Sequence, residues 1–446
     1  MFSRAVRVLW GDLTVSEIKR FTILALSLLC IIGPYWLLRT LKDSFFDRWV
    51  DLTYQPKAKI ASLVVVTCMV LLYSKLSDYL SKHHLLYVIC TFYAGVYLLI
   101  AAYCIWPLPE MHNAVADLIP GRFIGWFAYL AIESFGSIVV ALFWSFVAST
   151  TTTEGAKRGY AMILAGAQAG ALIGSGLTCY AQTFDNLFGQ DMSFPFLLMV
   201  ASLTILIVPF LIKFFMSVVH GETTEQERQE AKKPKTGFFE GLRLLLTSPY
   251  LLGVFVVATV YEIVGTIMDL QMKLLAKAAV GSGAPLTSFM GKFGLAGNLV
   301  PLVLALFGTS YIIRNYGVRF CLVAFPTAVA CAVVYVKFNP SLWPAFAAMV
   351  VIKGLTYALN NPVKEMLYIP TSKDVKFKAK GWIDGFGARL SKAGGAGING
   401  FFANSLPNLM FFGSIISLGI IGFWVMIALI LGTSYNKLIE EKKIIE

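Results

Sequence analysis

The sequence is poor in charge, in histidine and in the motifs of common enzymes. Only 14% of its 446 residues are charged and 57% are hydrophobic, whereas about a quarter of a soluble domain is charged. The chain has four histidines and no CxxC pair, which argues against a zinc site, a disulfide framework and histidine-relay chemistry. No GxxxxGK[ST] motif occurs, which excludes a P-loop ATPase. We therefore expect neither a soluble domain nor an enzyme, and we expect no cofactor and no metal.

Long apolar runs recur along the whole chain. A run of about 18 residues can span a bilayer as a helix. About twelve runs are long enough: 21–46, 57–79, 84–106, 123–148, 158–182, 193–217, 249–278, 286–312, 318–337, 343–369, 382–404 and 409–434. Because a backbone in lipid must satisfy its own hydrogen bonds, these runs predict an all-α polytopic membrane protein of about twelve transmembrane helices.

One polar stretch, 218–248, separates six of these spans from the other six. It predicts an N-terminal six-helix bundle at 1–217, a cytoplasmic linker at 218–248 and a C-terminal six-helix bundle at 249–446. Two such halves are the organisation of the major-facilitator fold.

The net charge of +12 is explained by membrane topology, so we expect no nucleic-acid partner. With the N-terminus inside, most lysines and arginines fall in cytoplasmic segments. The opposite loops carry few, among them Lys57 and Lys59. This asymmetry is the positive-inside pattern and predicts that both termini are cytoplasmic.

Arg39 and Lys42 lie at the end of the first apolar run, within Leu38-Arg39-Thr40-Leu41-Lys42-Asp43-Ser44. Three residues apart on a helix, they share a face. If that face lines a cavity, the pair is a cationic clamp for an anion. The alternative is an anchor at the lipid headgroups, because long charged side chains reach towards water.

Several further charges lie inside predicted spans 4, 7 and 10. They are Glu133 in span 4, Glu262, Asp269 and Lys273 in span 7, and Lys353, Lys364 and Glu365 in span 10. In a major-facilitator bundle spans 1, 4, 7 and 10 line the central cavity, and ionisable groups in lipid face a cavity or a partner. The alternative is pairing that only supports the fold, as for Asp269 and Lys273 at i,i+4.

Arg389 and Lys392 in span 11 repeat the i,i+3 spacing of Arg39 and Lys42. Two cationic pairs facing one cavity suit a polyanion, phosphates above all. For Arg389 the alternative is a topology charge that ends the preceding group of lysines. The remaining candidates are Lys273 and Lys364 as further phosphate ligands, Glu133, Asp269 and Glu365 as counterions of the empty cavity, and Asn360, Asn361 and Gln168 as donors to a base edge.

Two glycine patterns indicate helix packing and not nucleotide binding. Gly395-x-Gly397-x-x-Gly400 matches a dinucleotide motif but follows no strand. Gly166, Gly170 and Gly174 present a small face at four-residue spacing.

Five blocks together resemble the ATP/ADP translocases of plastids and obligate intracellular bacteria. They are LRTLKDS, IESFGSIVVALFWSF at 132–146, EGAKRGYAMILAGAQAGALIG at 154–174, NNPVKEMLYIP at 360–370 and KAKGWIDGFGARLSKAGGA at 378–396. The resemblance runs from about residue 15 to 435. It implies that Lys42, Glu133, Asp269 and Lys392 are needed for transport.

The resemblance also implies exchange or import of nucleotides across the inner membrane of a bacterium or plastid. External ATP would enter as ADP and phosphate leave, and the fold is commonly sufficient as a monomer. The family usually has glutamate where Asp269 stands and asparagine where Gln168 stands, so the cargo stays open. The alternatives are proton-coupled net import of other nucleoside triphosphates or NAD, and import of another phosphorylated anion.

Overall fold

The computed structural model describes residues 14–106, 121–151, 153–218, 238–307, 309–372, 375 and 379–445. Almost all of these residues are helical, and the one β-bridge among them joins Thr371 to Ile445. Ten of the described helices are long and apolar enough to cross a membrane. The prediction of an all-α polytopic membrane protein is confirmed.

The helices follow one another with short connections. In chain order they are α1 Val15–Trp49, α2 Gln55–Tyr79, α3 Lys82–Ile105, α4 Phe123–Thr150, α5 Thr153–Cys179, α6 Ala181–Phe188, α7 Ser193–Val218, α8 Phe238–Thr247, α9 Pro249–Val280, α10 Ala284–Phe307, α11 Thr309–Phe338, α12 Leu342–Leu355, α13 Asn361–Met366, α14 Ala388–Phe402 and α15 Leu406–Glu440. A 3₁₀ turn, Leu52–Tyr54, precedes α2. Two π-helical segments, Thr356–Asn360 and Gly381–Gly387, precede α13 and α14.

Ten described helices meet the length and hydropathy of a span, against about twelve predicted. The other two predicted spans are helical but do not meet both conditions. They are α10, and the interrupted helix formed by Gly381–Gly387 and α14. Most of the predicted linker, residues 219–237, lies outside the described residues, and its last part forms α8.

Local sequence signals begin the first helix of each sequence half. Thr14 caps α1 in a reciprocal pair: the Glu17 amide donates to Thr14 Oγ1 at 3.3 Å, and the Thr14 amide donates to Glu17 Oε2 at 2.9 Å. Ser248 caps α9, and Pro249 follows at the first helical position, where its missing N–H costs no hydrogen bond.

The chain forms two compact units. The first unit falls within Met1–Asp51, Val64–Pro234 and Ser282–Leu295, and the second within Leu52–Leu63, Lys235–Gly281 and Ala296–Glu446. The first part of α2 thus belongs to the second unit, and the first part of α10 to the first unit.

In the first unit, α1 packs closely along α5 through glycines. A Cβ atom added to Gly170 would lie 2.7 Å from the Leu29 carbonyl oxygen, and one added to Gly166 or Gly174 would meet the α1 backbone at Ala25 or Gly33. Small residues at four-residue spacing let two backbones approach this closely. The prediction that this pattern serves helix packing is confirmed.

Candidate functional site

The first unit contains a buried ion pair between Lys42 of α1 and Glu133 of α4. The Lys42 side chain is only 8% exposed, whereas 35% of the Glu133 side chain is exposed. The Lys42 ammonium also lies 4.4 Å from the centre of the Tyr129 ring. A lysine buried in this way needs a paired anion, because an uncompensated charge in lipid is very costly. Lys42 is therefore held inside the helix packing and is not an anchor at the lipid headgroups.

Arg39 lies one turn before Lys42 on α1 and is half-buried. Its Nη1 donates to the Tyr35 hydroxyl at 2.7 Å, and its guanidinium lies 5.0 Å from the centre of the Trp36 ring. Ring contacts of this kind hold a guanidinium while leaving it positively charged. Arg39 and Lys42 thus form one cationic region on α1, which we call the α1 cluster together with Glu133.

The second unit contains a larger group of charges around Asp269 of α9. Asp269 Oδ2 accepts from Lys273 Nζ at 2.5 Å and from Lys59 Nζ at 3.1 Å. The side chains of Lys273 and Lys59 are 4% and 17% exposed. The predicted Asp269–Lys273 pair is present. Lys353 of α12 also acts on the Asp269 carboxylate electrostatically. We call Lys59, Asp269, Lys273 and Lys353 the Asp269 cluster.

The interpretation of Lys59 as a loop charge is wrong. Lys59 lies in α2, five residues into the helix, and its ammonium binds a carboxylate of α9. Topology counting misassigned it because a lysine near the start of an apolar run has the sequence signature of a loop residue. Its actual partner is 210 positions away in sequence, beyond the reach of any local pattern.

A second charge pair in this unit joins Lys392 of α14 to Glu262 of α9 at 3.6 Å. Lys392 is half-exposed, and Arg389 lies half-buried one turn earlier on α14. Glu262 precedes Asp269 by seven residues, so both carboxylates are on one face of α9. A rise of 1.5 Å per residue separates them by about 10 Å along the helix axis.

Lys364 and Glu365 of α13 bind charges near the start of the span that contains α14. Lys364 Nζ lies 2.8 Å from Asp384 Oδ1, and Lys380 Nζ lies 2.5 Å from Glu365 Oε1. As predicted, these adjacent residues face different partners. The structure does not bring either of them into an ion pair with Asp269, and Glu365 is nearly half-exposed.

Asn360 and Asn361 lie where helical geometry changes. Asn360 is buried and ends the π-helical segment Thr356–Asn360, and half-buried Asn361 begins α13. Pro362 follows and has no N–H, so the Ala358 carbonyl loses its usual i+4 donor. Single π-helical turns occur often at functional sites.

The chain matches the TLC ATP/ADP transporter family over residues 1–435. This chain belongs to that family. The resemblance drawn from the five sequence blocks is confirmed.

Among curated relatives, the chain is 28% identical to ADP,ATP carrier protein 2, chloroplastic, of Arabidopsis thaliana, over 96% of this chain and 77% of the relative. It is 25% identical to ADP,ATP carrier protein 1 of Chlamydia pneumoniae, over 98% of this chain and 94% of the relative. ATP and ADP are therefore the substrates for which the related carriers are named, in a plastid and in a bacterium.

Solved structures support the fold. The chain is similar to a bacterial homologue of the iron transporter ferroportin in its inward-facing state, with a TM-score of 0.63 and 11% identity over 94% of this chain and all of that one. It is also similar to the nucleoside transporter NupG, with a TM-score of 0.59 and 12% identity over 96% of this chain and 99% of that one. The major-facilitator-like fold class is confirmed.

For this member of the TLC family, sequence reasoning found most of the ionisable residues that the structure buries in spans. It missed that Lys59 and Lys353 act on Asp269, and that Glu262 binds Lys392. The seven-residue spacing of Glu262 and Asp269 was an available signal, since it assigns both carboxylates to one helix face. The partners on α2, α12 and α14 depend on helix packing, which the sequence does not give.

Proposed function

We propose that this chain exchanges ATP for ADP across a membrane by alternating access, with the nucleotide phosphates bound by intramembrane lysines and arginines. Membership of the TLC ATP/ADP transporter family is the observation that carries the proposal. The positions of Lys42 and of Lys273 support it, because each is a buried lysine bound to a carboxylate inside a predicted span.

Burial of a nucleotide phosphate chain requires several cations. A triphosphate carries a charge near −4, and its desolvation is prohibitive unless positive groups replace the lost water. In this proposal Arg39 and Lys42 bind phosphate in the first unit, and Lys273, Arg389 and Lys392 bind phosphate in the second.

The carboxylates act as counterions when no substrate is bound. Glu133 neutralises Lys42, Asp269 neutralises Lys273, and Glu262 neutralises Lys392. An arriving phosphate competes with these carboxylates for the same ammonium groups. The empty protein then keeps its buried lysines paired, and a bound nucleotide releases them in exchange for its own charge.

Further parts of the proposal concern the cargo and its setting. Asn360 and Asn361 donate to a base edge, Lys364 supports the phosphates, and Glu365 balances charge. Phosphate leaves together with ADP. The protein works as a monomer in the inner membrane of a bacterium or plastid, with both termini cytoplasmic and with six-helix halves divided at 218–248.

Uptake of labelled ATP into proteoliposomes tests the proposal. Vesicles loaded with ADP should take up ATP far faster than empty vesicles or vesicles loaded with adenosine. Equal uptake into empty vesicles that depends on a proton gradient would favour net import, with Glu133 as the first titratable group to replace because its side chain is partly exposed. Absence of ATP uptake under all conditions would contradict exchange.

A further inference from the structure

The Asp269 cluster has more positive charge than one carboxylate can balance. Lys273 of α9 and Lys59 of α2 both bind the same oxygen, Asp269 Oδ2, at 2.5 and 3.1 Å. Lys353 of α12 adds a third positive charge that acts on this carboxylate. Three lysines and one aspartate sum to +2. By contrast, Lys42 meets Glu133 and Lys392 meets Glu262 as single pairs.

The cluster lies away from bulk solvent, where charge has its largest effect. The side chains of Lys59, Asp269 and Lys273 are all less than 20% exposed, and Lys353 is half-buried. Three lysines at one carboxylate repel one another, and this repulsion is stronger in a low dielectric than in water. A net positive group in such a place is stabilised by a further anion, and a dianion would balance it fully.

Lys353 lies against a surface that has no side chain. A Cβ atom added to Gly297 of α10 would be 3.4 Å from Lys353 Cδ and 4.0 Å from its Nζ. One turn after Lys353 the helix changes to the π-helical segment Thr356–Asn360. Both features leave the lysine room to change its direction, which a lysine that must bind either Asp269 or an arriving anion requires.

We propose that Lys59, Lys353 and Lys273 form a binding subsite for one phosphoryl group, which the Asp269 carboxylate occupies when substrate is absent. The proposal rests on the proposed nucleotide exchange and assigns Lys59 and Lys353 as further substrate-binding residues. A terminal phosphoryl group carries about −1.5 to −2 charges near neutral pH and has three acceptor oxygens, so it matches the excess charge and offers one oxygen to each lysine.

Pyrophosphate is a suitable probe of the subsite, because it presents phosphoryl groups without a nucleoside. Thermal unfolding of the purified full-length protein in detergent is measured against pyrophosphate concentration. Wild type should be stabilised, and in Lys59→Gln and Lys353→Gln the concentration for half-maximal stabilisation should rise about 10- to 100-fold, as for loss of one charged hydrogen bond. Both variants keep the Asp269–Lys273 pair, and Lys59→Arg, which keeps the charge, should remain close to wild type.

Lys57→Gln is the matched control for Lys59→Gln. Lys57 is in the same helix, is exposed and lies 5.2 Å from the centre of the Tyr54 ring, so its replacement should leave pyrophosphate binding unchanged. The double variant Lys59→Gln/Asp269→Asn separates anion binding from ion pairing. It should bind pyrophosphate more weakly than Asp269→Asn alone. Equal binding by the two would mean that Lys59 serves only as a partner of Asp269, and would overturn the proposal.

Exchange in proteoliposomes distinguishes failure of the subsite from failure of the proposed function. The KM for ATP should rise about 10- to 100-fold in Lys59→Gln and Lys353→Gln. If wild type does not exchange nucleotides but pyrophosphate stabilises it through Lys59 and Lys353, the subsite is supported and the proposed function is wrong. If wild type exchanges and both variants keep its KM and its response to pyrophosphate, the subsite is wrong and the function is supported.

Discussion

At the residue scale, Lys42 shows how the protein keeps a charge inside the membrane. Its ammonium lies between the Glu133 carboxylate and the ring of Tyr129, both on α4. The ring face adds an attraction without adding a competing formal charge. Lys42 can therefore exchange a carboxylate for a phosphate while the ring contact stays in place.

Replacement of Lys42 tests this role. We expect Lys42→Gln to lower kcat/KM for ATP exchange about 10- to 100-fold, since one charged contact with phosphate is lost. Lys42→Gln/Glu133→Gln should regain any thermal stability lost by the single variant, because no buried carboxylate is left without its lysine, but it should not regain exchange. Thermal unfolding and proteoliposome exchange measure the two effects.

Lys19→Gln is the control for this experiment. Lys19 is in the same helix as Lys42, but it is exposed and lies 5.6 Å from the centre of the Phe214 ring. Its loss should change neither property. Full exchange by the Lys42→Gln/Glu133→Gln variant would reduce the pair to a structural contact.

Individual charges of the site were visible in the sequence, but their partners were visible only within one helix. Asp269 and Lys273 pair at i,i+4, which spacing alone predicts. Lys42 and Glu133 were both identified, but 91 residues separate them and their contact depends on how α1 packs on α4. Lys59 was misassigned for the same reason.

At the element scale, the α1–α5 contact depends on the absence of side chains on one face of α5. A Cβ atom on Gly174 would meet the backbone carbonyl of Gly33, which cannot move aside as a flexible side chain can. The four-residue glycine spacing predicted this contact without its partner. The same reasoning held at Gly395, whose Cβ would lie 2.7 Å from the Ile263 carbonyl oxygen, but not at Gly397, where nothing lies within 4 Å.

Alanine at Gly174 should destabilise the folded protein. Gly→Ala within a helix normally gains up to about 1 kcal/mol, but overpacking costs about 1–3 kcal/mol. Gly176 is the matched control on α5, since its Cβ would meet only Leu295 Cδ2 at 3.9 Å. Thermal unfolding should show a lower Tm for Gly174→Ala and an equal or higher Tm for Gly176→Ala. The reverse order would contradict the close α1–α5 approach.

The π-helical segment before α13 is a second feature at this scale. Pro362 removes the N–H that would bond to the Ala358 carbonyl, and the helix forms wider turns at Thr356–Asn360. Proline was visible in the sequence, whereas the kind of distortion was not, because a proline can also kink or end a helix.

Pro362→Ala should therefore raise stability and lower exchange. Alanine restores the missing donor and is favoured over proline in a helix by as much as about 3 kcal/mol. A regular helix would change the directions of Lys353 and Asn360 on either side of the Ala358 position. Tm and ATP exchange measure the two effects, and unchanged exchange in a more stable protein would mean that the π-helical geometry has no part in transport.

At the scale of the whole molecule, hydropathy and charge distribution predicted the fold class because lipid imposes strict limits on a chain. Only internally bonded helices or closed barrels can cross a bilayer. The runs that became α10 and α14 were less clear, because one contains Lys292 and Pro301 and the other begins with the π-helical segment Gly381–Gly387. How the helices group into two units, with α2 and α10 divided between them, is a property of packing and had no signal in the sequence.

The central claim is that buried cations bind the phosphates of a nucleotide, and equilibrium binding to the purified protein tests it most directly. Affinities for ATP, ADP, AMP and adenosine are compared at one ionic strength. We predict that ATP and ADP bind at least about 100-fold more tightly than adenosine, because each further phosphate gains charged hydrogen bonds of about 1.5–3 kcal/mol. Adenosine binding as tightly as ATP would contradict the account, because affinity would then come from the base and ribose and not from the lysines.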